Sequence, residues 1–379
     1  MYILQDTYIK ACFTKSLFML QSKVSRKKLL ASKNKRLLAV IALFNLQVVI
    51  LPSLLMAQPN ADNDSSYFLK YPGSITTRFY VSQKYTDFNI QGNDGAKDIK
   101  YLPNTTLNMG IGATYQNFSL NLAYGFGFIN NDDDKGKTKY LDLQSHAYPG
   151  KWSFDLLGQF YKGYHLGKDV LSTSDKGYYY RPDIKVNLLG LSAYRVLNHT
   201  RFSYNAAFLQ NEWQKKSAGS VLFGAEMYYG NIRGDSALVP SSSANQYPQA
   251  GINRLQFFSF GPGVGYAYQL VIKQHFFIMG SATVNLNLGF STESTATNKR
   301  KKTAVAPETF FRFAAGYNSS TWSLSANWVG NRLPSGGASS VKNYLLHTGN
   351  YRIILAKKFY PGAKTKKLLK PVDKILNFL

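Results

Sequence analysis

A chain of 379 residues with a single cysteine, Cys12, far upstream leaves its main body without a disulfide, a Cys-built metal site or a catalytic thiol. Mean hydropathy is −0.23, which excludes a bundle of transmembrane helices. The formal charge is +25, but the basic residues sit in short runs such as Lys299-Arg300-Lys301-Lys302 and in the stretch Lys357 to Lys374, with no RNA- or DNA-reading motif, so no nucleic-acid partner is expected.

Lys33, Lys35 and Arg36 precede an apolar run from Leu37 to Leu55 that ends at Met56-Ala57-Gln58. A charged start, an apolar centre and a small residue at the end read as a secretory signal cleaved after Ala57. Residues 1–57 are therefore an N-terminal extension and signal peptide, and 58–74 a periplasmic lead-in.

The body that follows alternates with period two. Phe118, Leu120, Leu122, Tyr124, Phe126 and Phe128 share one face of a strand, while Ser119, Asn121, Ala123, Gly125 and Gly127 share the other. Leu107 to Tyr115, Trp152 to Leu156, Phe276 to Phe290, Trp322 to Trp328 and Tyr351 to Phe359 repeat the pattern, with Phe276, Ile278, Ala282, Val284, Leu286, Leu288 and Phe290 as the longest apolar ladder. Large apolar residues against small or polar ones suit a wall between lipid and a crowded interior, and 15% aromatic residues suit the girdles of such a wall. The runs approach the roughly 9–11 residues that a tilted strand needs to cross a bilayer.

Connections alternate in length. Short turns are predicted at Gln116-Asn117, Pro149-Gly150, Asn198-His199-Thr200, Ile272-Lys273-Gln274 and Asn318-Ser319-Ser320, and long polar loops at 91–102, 130–138, 165–182, 291–308 and 331–343. Asp132-Asp133-Asp134 and Lys299 to Lys302 are then solvated loop tips. The phase of alternation fails only within 202–254, through a false reversal near Gln214 to Gly219 or an unseen strand in 233–254. The fold expected is all-β: a single antiparallel transmembrane β-barrel over 75–359 of about twelve strands, with fourteen as the alternative, followed by a basic periplasmic tail over 360–379. In that tail Lys364, Lys366, Lys367, Lys370 and Lys374 interleave with apolar residues, as an amphipathic helix or an irregular segment would.

Several segments resemble an uncharacterised family of Bacteroidota outer-membrane β-barrels, domain of unknown function 4421. They are Tyr71-Pro-Gly-Ser-Ile-Thr-Thr-Arg-Phe-Tyr80, Tyr101-Leu-Pro-Asn-Thr-Thr-Leu107, Leu122-Ala-Tyr-Gly-Phe-Gly-Phe128, Gly136-Lys-Thr-Lys-Tyr-Leu-Asp-Leu-Gln144, Gly158-Gln-Phe-Tyr-Lys-Gly-Tyr164 and Gln214-Lys-Lys-Ser-Ala-Gly-Ser220. The resemblance implies a barrel in the cell envelope and supplies no activity.

Five histidines, His146, His165, His199, His275 and His347, bound any acid–base chemistry. His146 shares a strand face with Asp142 and Gln144, and Ser217 with Ser220 is the nearest approach to a nucleophile motif. Neither serine sits in a Gly-x-Ser-x-Gly elbow, His199 and His275 fall in predicted turns, and His165 in a loop. No metal-ligand spacing is present, and Gly110-Ile-Gly112 and Gly261-Pro-Gly-Val-Gly265 lack the helix a phosphate loop needs, so neither metal nor cofactor is expected.

Charge on predicted interior faces is the richer signal. Arg78, Lys84, Asp142, Asp155, Lys185, Arg195, Glu226, Arg312 and Arg352 all alternate against apolar neighbours. Unpaired charge in a narrow interior is costly, so these residues are read as an ion-paired network, with an anion-favouring pathway or binding site as the functional variant. The expectation is an outer-membrane pore, binding or structural envelope component. A hydrolase or acyltransferase acting on lipid or lipopolysaccharide, built on Ser217, His146 and Asp142, is the alternative. Its surroundings would be outer-membrane lipid and lipopolysaccharide, the barrel-assembly machinery, and a periplasmic partner for the basic tail.

Overall fold

The computed structural model describes residues 63–92, 95–115, 118–126, 133–167, 177–340, 343–367 and 369–370. The leader read at 1–57, the turn Gln116-Asn117, the tip residue Asp132 and the tail beyond Lys370 lie outside the described residues.

Among the described residues, fifteen strands account for nearly all regular structure: β1 (Phe68–Lys70), β2 (Ile75–Ile90), β3 (Ile99–Leu102), β4 (Asn108–Tyr115), β5 (Phe118–Tyr124), β6 (Lys139–Ala147), β7 (Trp152–Leu166), β8 (Tyr179–Val196), β9 (Glu212–Gln214), β10 (Ala218–Arg233), β11 (Arg254–Ile272), β12 (Phe276–Ser294), β13 (Lys299–Asn318), β14 (Trp322–Gly336) and β15 (Asn343–Phe359). Antiparallel pairing runs without interruption from β15 through β14, β13, β12, β11, β10, β8, β7 and β3 to β2, and β2 pairs back onto β15 from Ile75↔Phe359 to Ile90↔Tyr344. The result is a closed barrel of ten strands, with β4, β5 and β6 attached to its wall.

Closure passes through an element absent from the expected layout. The sequence predicts a loop over 91–102, yet β3 pairs with the end of β2 at Phe88↔Tyr101 and with the end of β7 at Tyr101↔Leu166. Its four residues are too few to carry a legible period. Below this bridge, β4 pairs with the first half of β2, β5 with β4, and β6 with β7.

Along the long strands the alternation is clean. Phe276, Ile278, Val284, Leu286 and Phe290 of β12 point outward and are exposed, whereas Phe277, Met279, Ser281, Thr283, Asn285 and Asn287 point inward and are buried. The same outward apolar row continues through Phe258, Phe260, Val264, Tyr266 and Leu270 of β11, Phe311 and Phe313 of β13, Leu324 of β14, and Ile353 and Leu355 of β15. Exposed apolar surface of this extent is an interaction surface, not an ordinary water-facing exterior.

The phase problem within 202–254 resolves into two inward excursions. Only β10 crosses the wall between β8 and β11. The connection from Arg201 to Lys216, at the short-turn end, folds into the barrel mouth through a π-helical turn at Asn205–Leu209, and its strand β9 pairs with β1 instead of joining the wall. The connection 234–253, at the long-loop end, folds inward through a 3-10 turn at Ser241–Gln246. Leu238, Val239, Tyr247 and Ile252 from that connection join Phe88, Ile99, Tyr101, Tyr164 and Tyr344 in an apolar cluster beneath it.

Two other loops shrink. The stretch 291–308 is a continuous hairpin in which Lys299 to Lys302 pair with Ser294 to Ser291, so these basic residues stand on a strand and not on a loop tip. The stretch 331–343 reduces to residues 337–342 between β14 and β15. Polar composition suggested loops, but a strand that extends past an apolar belt is free to be polar.

Candidate functional site

The interior between the two inward excursions is lined by the polar face of the alternating strands. Arg78, Asp142, Asp155, Glu226, Arg312 and Arg352 point into it. Lys185 and Arg195, expected there, face outward, because the interior parity of β8 belongs to Ile184, Val186, Leu188, Ser192, Tyr194 and Val196. Four of those six are apolar because they pack against the two end clusters, which reverses the reading of polar-inside on that strand.

Asp155 of β7 organises the first group. Its carboxylate accepts from Arg312 of β13, from His146 Nδ1 of β6 at 2.6 Å and from Ser192 Oγ of β8 at 3.1 Å. Arg312 is fully buried, donates also to Ser153 Oγ at 3.3 Å, and lies 3.9 Å from the Phe310 ring centroid and 5.4 Å from that of Tyr204. A cation this deep holds its charge only through such a partner and such aromatic faces.

Asp142 of β6 centres a second group. Lys84 Nζ lies 3.1 Å from its carboxylate, Gln159 donates at 2.9 Å and the Tyr161 hydroxyl at 2.6 Å. Thr348 of β15 donates to Gln159 at 2.7 Å, which joins the network across the barrel.

A third group joins Glu226, expected inward from the sequence, to a residue the sequence reading omits, Glu308. Glu226 of β10 and Glu308 of β13 both point inward: Tyr228 donates to Glu226 at 3.3 Å, Ser259 donates to Glu308 at 2.8 Å, and Tyr194 donates to Asn285 at 2.7 Å with its hydroxyl 3.3 Å from Glu226. Its polar surroundings place Glu308 in the loop predicted over 291–308. The parity that makes Arg312 inward also makes Glu308 inward, and that was the available signal.

The hydrolase residues are not assembled. Ser217 Oγ accepts from the Val271 amide at 2.9 Å and closes the end of the β10–β11 hairpin. His146 is bonded to Asp155, not Asp142, and the serine of that group, Ser192, bonds the carboxylate and not the imidazole. Nucleophilic activation requires a hydroxyl on the base itself. His165, expected in a loop, ends β7 and is buried with an edge contact to Tyr178.

Each mouth is tied to the wall by specific bonds. At the short-turn end, Arg78 donates to the Leu209 carbonyl from Nε at 3.1 Å and Nη2 at 2.7 Å, Tyr204 bonds Ser281 at 2.7 Å, and Asn318 donates to the carbonyls of Ala206 at 3.0 Å and Glu212 at 2.9 Å. At the long-loop end, Arg181 donates from Nη1 to the Ala237 carbonyl at 2.9 Å and pairs with Asp183 at 2.8 Å. Hydrogen bonds from Arg181 hold the Asp183 carboxyl down at about 2.

A closed antiparallel sheet with its apolar side chains outside and its charges inside is a β-barrel of the polarity that suits lipid. Within that class, the chain belongs to the family described as a domain of unknown function (DUF4421), which matches residues 62–359. No curated protein matches the sequence. Among solved structures it is similar to the outer membrane protease OmpT from Escherichia coli, at 10% identity over 76% of this chain and 97% of that one, with a TM-score of 0.32. It is also similar to a bacterial polysaccharide outer membrane secretin, at 8% identity over 76% and 99% with a TM-score of 0.31, and to OmpT of Vibrio cholerae, at 10% over 77% and 100% with a TM-score of 0.26.

Proposed function

We propose that the protein is a β-barrel of the bacterial outer membrane whose interior is filled, and that it serves the envelope as a structural or binding component instead of an open pore. The observation that carries this reading is the pairing of an exposed apolar exterior with a mouth occupied at both ends. Lipid accepts such an exterior, and a closed sheet leaves few backbone groups unpaired within it. The short-turn end is then periplasmic and the long-loop end extracellular. Residues 363–367 are helical, with Lys364, Lys366 and Lys367 exposed, and follow the wall on the periplasmic side, where anionic head groups would attract them.

The signal-like leader supports export, and the barrel-assembly machinery would insert the chain. A lipid-modifying hydrolase has no supporting geometry here, since Ser217 and His146 are committed to different partners.

Cell fractionation with fluorescence tests the location. The expected result is an outer-membrane protein that shifts on a gel after heating, with Trp322, on the exposed face of β14, quenched by brominated lipid. A soluble periplasmic protein whose tryptophans ignore brominated lipid would overturn it.

A further inference from the structure

Asp142 and Asp155 each hold a basic partner in the interior, but one cationic inward face has no carboxylate partner among the described residues. Arg78 on β2 and Arg352 and Lys358 on β15 project into the periplasmic half of the barrel from neighbouring strands, in the register Arg78↔Ala356, Ser82↔Arg352 and Thr76↔Lys358. None of the three forms an ion pair with a carboxylate among the described residues.

Their hydrogen bonds go to neutral groups. Arg78 bonds the Leu209 carbonyl and Thr114, and Lys358 bonds Asn318, Ser319 and Ser323 at 2.7–3.0 Å. Arg352 lies over the Tyr80 ring at 4.7 Å. Arg78 Nη1 and Arg352 Nε are buried without any acceptor, and Arg78 as a whole is 5% exposed. Three cations on one buried face, two with idle donors, repel one another and cost more than a paired interior would.

The wall beside this face is also incomplete. The free edge of β5 and the free edge of β6 are not paired with each other among the described residues, although β4–β5 and β6–β7 pair along their lengths. The gap lies below β3, in the periplasmic half of the barrel. Leu120, Leu122 and Tyr124 stand exposed along its β5 side, and behind it Lys84 and His146 are each more accessible than the carboxylate they pair with. Arg78 reaches this edge through Thr114, which bonds Ser119 of β5.

We infer that Arg78 and Arg352 form a binding site for a phosphate-class oxyanion, and that its natural occupant is the phosphate of a phospholipid entering from the periplasmic leaflet between β5 and β6. Guanidinium groups with donors already positioned suit the several oxygens of a phosphate. An apolar rim with a cationic interior behind it suits an amphiphile: chains stay outside and the phosphate enters. The choice of a lipid as occupant rests on the outer-membrane reading, whereas the oxyanion site itself does not.

The test follows the heat-dependent gel shift of the full protein in a neutral maltoside detergent. Inorganic phosphate or phosphatidylglycerol should each raise the unfolding midpoint by roughly 5 °C near saturation, relative to chloride and phosphatidylcholine respectively. Arg352→Gln should abolish both increments while leaving the ligand-free protein at least as stable, because it removes a repelling charge, and Arg352→Lys should keep part of the increment. No increment in the wild type, or the same increment in Arg352→Gln, would overturn the site. An increment with phosphate alone would overturn the lipid as occupant. A chain that remains monomeric without detergent would end the outer-membrane reading while leaving the phosphate measurement intact.

Discussion

Arg78, on the first long wall strand, donates twice to the backbone carbonyl of Leu209, in the connection that fills the short-turn mouth. These residues are 131 positions apart in sequence. Their bond converts a loop between two strands into part of the interior. Around it, Tyr204 stacks on Tyr148 at 5.0 Å and meets Phe202 edge-on at 5.0 Å, so the connection is packed as a core is.

Tyr204→Ala should therefore behave as a core truncation and cost about 3–5 kcal/mol. The measurement is the urea midpoint of the protein in vesicles, followed by tryptophan emission. Hydrogen exchange should show faster opening of 202–214 than of the wall strands, as expected for the unit that lost its anchor.

Asp155→Asn should destabilise by about 3–5 kcal/mol, because it leaves Arg312 buried without its counter-charge. Combining Asp155→Leu with Arg312→Met should recover most of that loss, since an apolar pair of similar volume often replaces a buried ion pair without penalty. Urea unfolding of the two variants decides between a network needed for stability and one kept for another reason.

Much of this interior was legible before any coordinates. The parity of β12, β13 and β15 follows from their alternating residues, and it places Arg312 and Arg352 inward as read. Parity failed on β8, where interior residues such as Ile184 and Leu188 pack against an apolar cap that came from elsewhere in the chain. Lys185 and Arg195 were misplaced for that reason. β3 and the inward fold of Arg201 to Lys216 were invisible because short segments stabilised by tertiary contacts carry no period of their own.

Acid should loosen the long-loop mouth. The Asp183 carboxyl, held at about 2 by Arg181 against an ordinary value of 3.8, contributes stability that is present in full above the ordinary value and lost as pH falls through about 2. Exchange of the Asp235 amide, which donates to Asp183 at 2.9 Å, should accelerate relative to wall-strand amides between pH 4 and 2. In Asp183→Asn that amide should be fast already at neutral pH, with no added loosening across the same range.

The hairpin turn between β11 and β12 places Lys273 at φ 49° and Gln274 at φ 62°, both left-handed. Neither residue favours that region, and Asn-Gly does. Replacing the pair by Asn-Gly should raise stability by about 1 kcal/mol, because relief of left-handed strain outweighs the freedom that the added glycine gives the unfolded chain. The Trp213 indole bonds the Gln274 carbonyl at 2.7 Å through backbone alone, so that contact should survive, and an unchanged Trp213 emission would show it.

Ion conductance across a planar bilayer tests the central claim most directly, namely that this is a membrane barrel whose interior is occupied. The wild-type protein should insert and stay silent, while a variant in which both inward excursions, 202–214 and 236–251, are replaced by short Gly-Ser turns should conduct. A wild type that conducts steadily, or a plug-excised variant that inserts and remains silent, would contradict the account.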